Sequence, residues 1–438
     1  MTREAAPRHM PESDSLPPRP FLVSSTRSPL ANPKTPVHRL AVGLQSSLHF
    51  PDPSPLYAVT GTIAANMLRG YPVWLMMIGP PESGKTELLK PLLRLQGILE
   101  CGDLSGKAAL LSGTRAKDCE KDATGGVLAR LEVSCNEIDG VDFKRGALIM
   151  LDFARTVLAG DSQAIRSNMG ALGMLHDQHW QRELGTDGGK TLSFRGRIGF
   201  IAATTDVIDR DEHSQANSEM GERCLYYRYP DSSGFHEISN TLDNPDGSNK
   251  GVDIQKLFMD WWIEITGDGC SWDDLTPPRH LTSDEKQRVI ALARFCARAR
   301  SGVQRDKYNK NEVTGLAKSA LGPRIANTLA QLLRGMERIG CTPAEIWRVL
   351  TNCAMDSMPA VRAYAIKLLL FDEKTGVRKE DRIIGPDDLA EHLSISVSTA
   401  RRTLEDLKIH KLLAYKKGAW TLSDLAKSLL KAGWVEED

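Results

Sequence analysis

None of the eight cysteines of this chain forms a CxxC pair with another; they are scattered from Cys101 to Cys353. That spacing offers neither a zinc site nor a disulfide framework, and it fits a reducing cytoplasm. No apolar run approaches the ~20 residues that span a bilayer. The N-terminus lacks the basic-then-apolar order of a secretory signal. The expectation is a soluble cytoplasmic protein with no membrane partner. An excess of charge is missing as well: Lys+Arg and Asp+Glu each number 56. This excludes a coat of basic charge but leaves room for a local basic face, because placement matters more than the sum. No internal repeat is present.

The 438 residues suffice for two or three domains. Residues 1–36 are rich in Pro, Ser and Arg without apolar periodicity, and a disordered tail is expected. Residues 37–252 alternate apolar runs (Val73–Ile78, Ala147–Leu151, Ile198–Ala203, Cys224–Tyr229) with helical stretches, beginning with a helix at Leu56–Leu68. Such alternation predicts an α/β fold with a parallel sheet flanked by helices. Residues 231–252 read as a polar linker. Residues 253–380 turn helical, with helices at Asp284–Arg300, Pro323–Ile339 and Pro343–Phe371, and residues 381–438 form a separate small unit.

Gly79-Pro80-Pro81-Glu82-Ser83-Gly84-Lys85-Thr86 matches the pattern GxxxxGK(S/T), with an apolar strand before it and Glu87-Leu88-Leu89 opening a helix. Backbone N–H groups of such a loop, together with a helix N-terminus, cradle phosphates. Lys85 would reach the β- and γ-phosphates of ATP, and the Thr86 hydroxyl would ligate Mg²⁺. Pro91 should end the helix early. The apolar run Ala147–Leu151 ends in Asp152, a Walker B pattern in which the carboxylate holds Mg²⁺ beside the phosphates. Phe153 follows it, so either a water-activating carboxylate comes from elsewhere or hydrolysis is slow; Glu137 and Asp139 are candidates, although a surface loop accounts for both better.

Three further signals follow in order. Ile198–Ala203 runs into Thr204 and Thr205, which resembles the sensor strand of AAA+ proteins, where either residue would contact the γ-phosphate or the attacking water, and reads equally as an ordinary Thr-capped strand. Asp187-Gly188, between short arms from Arg182 to Arg195, predicts a hairpin; its resemblance to the pore hairpin of MCM-like helicases implies that Lys190 and Arg195 meet a nucleic-acid backbone, and a hairpin that simply faces solvent is the other reading. In Met220-Gly221-Glu222-Arg223, Arg223 is the first choice for an arginine finger and Arg228 the second, with a structural ion pair as the plainer reading. Arg324 opens a helix behind Pro323, whose apolar face is Ile325, Leu329, Leu332, Leu333 and Met336. His176 and His179 have no third ligand nearby in sequence and read as solvated; Trp261 and Trp262 read as core.

At the C-terminus, Asp387–Leu393, the turn Ser394–Ser396, and Val397–Lys408 suggest a helix-turn-helix with a core face of Val397, Ala400, Leu404 and Leu407. Leu412–Lys417 and Ala419–Leu422 suggest a two-stranded wing. Ser398, Arg401, Arg402, Lys416 and Lys417 are the candidate DNA contacts, unless the unit docks protein instead.

Taken in order, these motifs resemble AAA+ P-loop ATPases, and within them the phage and mobile-element ATPases of the MCM-like helicase type that end in a winged helix. The resemblance spans about residues 40–425. It implies ATP with Mg²⁺ between the subunits of a homo-oligomeric ring, commonly a hexamer. It also implies a sensor role for Thr205, a trans-acting Arg223, a lid sensor in Arg324 and a DNA helicase or translocase activity. A nucleotide-gated DNA-binding protein that does not unwind, or a protein remodeller, is the other expectation.

Overall fold

The computed structural model describes residues 34–47, 52–102, 104, 107–111, 126–131, 134–138, 141–159, 161–184, 190–209, 223–229, 250–267, 272, 277–306, 308–309, 312–315, 318–371, 382–416 and 418–434. The expected N-terminal tail, apart from its last three residues, and nearly all of the 231–252 linker lie outside these residues.

Five parallel strands form the centre of one sheet, in the order β2 (Ile98–Glu100), β4 (Val141–Met150), β6 (Lys190–Thr204), β1 (Trp74–Ile78) and β7 (Cys224–Arg228). Two antiparallel strands extend it, β3 (Ser134–Ile138) on β4 and β5 (His179–Leu184) on β6. The mainly parallel α/β sheet expected from the alternating pattern is thus present. Every residue of β1 is buried, which is why the run carries no polar alternation. Leu75 and Met77 face one apolar layer, shared with α1 (Pro36–Ser47) and α2 (Ser54–Met67). Trp74, Met76 and Ile78 face the other layer, shared with α5 (Phe153–Val157) and α6 (Ser162–His176). Short helices α3 (Lys85–Leu89) and α4 (Lys107–Leu110) complete this half.

The α2–β1 connection is fixed by two buried arginines that pair in register on adjacent strands. Arg145 donates to the carbonyls of Asn66, Met67 and Leu68, and Arg197 to those of Asn66 and Gly70. These carbonyls end α2 without helical partners, and cations at a helix C-terminus are favoured electrostatically.

Helices α7 (Lys250–Thr266), α8 (Ser283–Arg300) and α9 (Pro323–Arg338) follow. Trp261 and Trp262 are in the core, as expected. The single helix expected over Pro343–Phe371 is two, α10 (Pro343–Asp356) and α11 (Ala360–Leu370). Pro359 removes an N–H and disfavours helical backbone just before it. The break has a purpose at the sheet edge: Ser357 Oγ accepts from Tyr226 N and Asp356 Oδ2 from Arg228 N, both at 2.8 Å. Donors on the open side of edge strand β7 are thereby satisfied.

The C-terminal unit comprises α12 (Pro386–Leu393), α13 (Val397–Ile409), the hairpin β8 (Leu413–Lys416) and β9 (Ala419–Leu422), and α14 (Asp424–Gly433). Ala400, Leu404 and Leu407 form its core face, but Val397 is 40% exposed, because it opens the helix beyond the reach of the packing partners. Helix α14 returns onto α8, bringing the Trp434 and Phe295 rings to 6.0 Å. Among the described residues no helix is long and apolar enough to cross a membrane.

Candidate active site

The loop Gly79–Gly84 leaves β1 at the carboxyl edge of the sheet, where open α/β folds bind ligands. Its shape depends on two glycines. Gly84 has φ +78, a left-handed value that a Cβ would strain. A Cβ on Gly79 would stand 2.9 Å from Tyr229 Cβ. Lys85 and Thr86 then open α3, which ends at Leu89 and tightens into a 3₁₀ turn over Lys90–Arg94, as Pro91 predicted. Pro80, Pro81, Glu82 and Glu87 are exposed, and Ser83 and Thr86 half-buried, along the rim.

Lys85 is buried, and its ammonium donates to Gly79 O (2.8 Å), Pro80 O (2.5 Å) and Ser83 Oγ (2.8 Å). Burial lowers its pKa, while Asp206 and then Asp152 oppose the shift. The loop therefore holds a cation against its own oxygens, ready to exchange them for a stronger anion.

The register builds the rest of this edge. Ile78 pairs with Thr204 on one side and Arg228 on the other. Met150 pairs with Ala202, so Asp152, two residues on, emerges level with Thr204. Gly79 N donates to Thr204 O at 3.2 Å. The structure thus gathers Lys85, Thr86, Asp152, Thr204 and Thr205 at one edge. Asp152 is exposed and caps α5 by accepting from Arg155 N at 3.0 Å. Phe153 is 0% exposed, packed in the core 6.5 Å from the Phe200 ring. Asp206 was missed in the sequence: it opens the 3₁₀ turn Asp206–Asp209 directly after Thr205.

Other candidates fall elsewhere. Strand β3, with Glu137, joins β4 at its far end, Ile138 opposite Val141, nine residues or ~30 Å from Met150. Asp139 is outside the described residues. Arg228 is not a free finger: it binds Asp209 through two nitrogens at 2.6 and 2.8 Å and its Nε donates to Asp356 O. Arg223 precedes Cys224, which pairs with Trp74 at the start of β1, so it stands at the opposite end of the sheet from Lys85, against Asp177 at 3.1 Å. Arg324 acts electrostatically on His176, whose ring packs 5.1 Å from Trp74. It therefore lies at that same far end, away from Lys85. The cause is the course of α9 along α2, which leads its N-terminus away from the loop: Gln331 reaches Ala65 O and Arg69 O, at the end of α2.

His176 itself is buried rather than solvated, while His179 is exposed on β5. Burial pushes its pKa down to about 4 from 6.5; Asp177 opposes this, and Arg223 and Arg324 reinforce it. The unfolded chain takes up that proton first as pH falls, so the stability is complete above about pH 6.5 and is lost toward pH 4. Chemical denaturation of the wild type should show a loss of about 2 kcal/mol between pH 7 and pH 5 from this group, and a smaller one in His176→Phe. Equal losses in both would refute this assignment.

The expected hairpin exists as β5–β6, with Leu184 opposite Lys190. It extends past Gly196, where β6 meets β4, from the end opposite Lys85. Arg195 is exposed. On α13, Ser398, Arg401 and Lys408 are exposed. Arg402 folds back onto Ser398 O and Thr399 Oγ1. The acidic side of α13 turns inward: Asp406 binds Arg305 (2.6 Å) and Arg362 (2.8 Å), and Glu405 binds Arg305. Lys416 is exposed on β8, and Lys417 lies outside the described residues.

No family model matches the chain, and no curated protein matches it. Among solved structures, a candidate ATPase from Cytophaga hutchinsonii is similar at 12% identity, over 84% of this chain and 92% of that chain, with a TM-score of 0.36. A likeness that loose carries nothing from that protein to this one.

Proposed function

We propose that this chain is a P-loop ATPase that works on DNA, as a helicase or translocase in the replication of a phage or other mobile element. The observation that carries this reading is the buried Lys85 ammonium, held by loop oxygens at the carboxyl edge of β1 beside Asp152 and Thr204. The residues fit ATP with Mg²⁺. Backbone from Gly79 to Thr86 cradles the phosphates, Lys85 contacts the β- and γ-phosphates, and Thr205 senses the γ-phosphate. The hydroxyl of Thr86 and the carboxylate of Asp152 are hard oxygen donors that suit Mg²⁺. The ion, when bound, neutralises charge on the phosphates.

Arg223 cannot serve the nucleotide of its own subunit from the far end of the sheet. Its position suits the nucleotide of a neighbour, which supports a homo-oligomeric ring, with a hexamer as the proposed form. An arginine supplied in this way is worth ~10³–10⁵ in rate.

DNA is the proposed partner because α13 turns its acids to Arg305 and Arg362 and its cations outward. With the β8–β9 hairpin beside it, the unit suits a winged helix on duplex DNA, with Ser398, Arg401, Arg402, Lys416 and Lys417 as contacts. Lys190, paired with Leu184 at the turn end of the β5–β6 hairpin, is proposed to meet DNA in the pore of the ring. In Arg401→Ala/Lys416→Ala, affinity for duplex DNA should fall uniformly across sequences, and the slope of log K against log salt should shrink by about 2. An unchanged slope would count against these contacts.

ATP turnover with and without single- and double-stranded DNA tests the main reading, and strand displacement tests unwinding. A second reading, a nucleotide-gated DNA-binding protein, is favoured by one observation: Phe153 lies in the core where a water-activating carboxylate is expected. Binding alone suffices for a switch.

A further inference from the structure

Two carboxylates leave the sheet at the edge where Lys85 sits: Asp152 follows β4, and Asp206 follows β6, the strand beside β1. Strand β6 lies between β4 and β1, with Thr204 level with Ile78, so the chain leaving β6 emerges beside the loop at Gly79. Asp206 stands two residues further, at the start of the turn closed by Ile208 N donating to Thr205 O. Its Oδ1 is 3.7 Å from Nη1 of Arg228, which belongs to the strand on the other side of β1. The pair therefore bridges over the end of β1, where the loop begins.

The neighbouring acids are otherwise engaged. Asp209 is 18% exposed at its side chain and spends both oxygens on Arg228, while Asp206 is 66% exposed. Asp152 is the candidate Mg²⁺ ligand, and Phe153 is sealed in the core.

We propose that Asp206 is a catalytic residue that orients the attacking water and accepts its proton. This rests on the ATPase reading given above. The oxygen of the water forms a bond to the γ-phosphorus, and the bond from that phosphorus to the β–γ bridging oxygen breaks. The electron pair of the broken bond leaves with ADP, and the proton of the water passes to the Asp206 carboxylate. Arg228, fixed by Asp209, holds that carboxylate over the loop.

The test is Asp206→Asn in the full chain, read by equilibrium binding of Mg-ATP, by single-turnover hydrolysis, and by the identity of the nucleotide that stays bound through gel filtration. Affinity should remain within about twofold of the wild type. Hydrolysis should fall at least ~100-fold, in line with the loss of a general base. The retained nucleotide should be ATP where the wild type retains ADP, and Asp206→Glu should recover part of the rate. Hydrolysis within about threefold of the wild type overturns the proposal, and so does a loss of ATP affinity, which would make Asp206 a binding group. Thermal unfolding of Asp206→Asn should match the wild type, since the side chain is mostly in solvent. Failure of the underlying reading has a different signature: the wild type itself would hydrolyse no faster than Lys85→Ala.

Discussion

Lys85→Ala is expected to remove ATP turnover, by about 10³-fold or more, while the protein stays folded. Lys85 is 7% exposed, and its ammonium makes three hydrogen bonds to oxygens of its own loop. In the ATP complex these would be exchanged for phosphate oxygens, and hydrogen bonds to charged groups are worth about 1.5–3 kcal/mol each. Two such bonds, lost from a site where the charge of the phosphates grows during transfer, account for that factor. Stability should change little. Pro80 is exposed and Ser83 half-buried, so water can replace the ammonium at the rim. Turnover by purified Lys85→Ala equal to that of the wild type would remove the basis for the ATPase reading. No turnover above Lys85→Ala by the wild type, with ATP binding intact, would favour the nucleotide-gated DNA binder.

Phe153→Glu should unfold the half of the chain that holds the sheet rather than speed turnover. On sequence grounds the substitution recreates the Asp-Glu pair usual in AAA+ proteins, and faster hydrolysis might be sought from it. The structure predicts the reverse. Phe153 is fully buried against Phe200, within the layer that also holds Trp74 and Met150. A carboxylate there loses the packing of the ring and enters an apolar layer. Emptying such a site costs about 3–5 kcal/mol, and burying a charge adds to that. Thermal or urea unfolding should register a loss of at least about 4 kcal/mol, with Phe153→Leu losing far less. A stable Phe153→Glu with increased turnover would show that this position faces the phosphates after all.

Much of the arrangement at the carboxyl edge of the sheet was legible because its signals are local. Gly84 must take a left-handed φ, Lys85 must follow it, and an apolar strand must precede them; all three are consecutive in the chain. Asp152 and Thr205 were legible for the same reason, each ending a buried run. The surroundings of Arg228 and Arg324 were not legible because they depend on where distant segments arrive. Arg228 meets Asp209 and Asp356 only because β7 lies beside β1 and the Pro359 break turns Asp356 toward it. Arg324 follows α9 along α2 to the end of the sheet opposite Lys85. His176 looked solvated since nothing in its neighbourhood announces that Trp74 covers it.

The sequence by itself determined the α/β class, the glycine-bounded loop between β1 and α3, and the helix-turn-helix pattern near the C-terminus. Each follows from residue periodicity or backbone preference within about twenty residues, where chain connectivity alone sets the geometry. Only the tertiary structure decided which charges meet. The ordering of β6 between β4 and β1 brings Asp206 to Arg228 across the end of β1, and the docking of α13 pairs Glu405 and Asp406 with Arg305 while leaving Arg401 outside. Charge pairing depends on separations of a few ångströms between segments far apart in the chain, and only packing of the whole core fixes those.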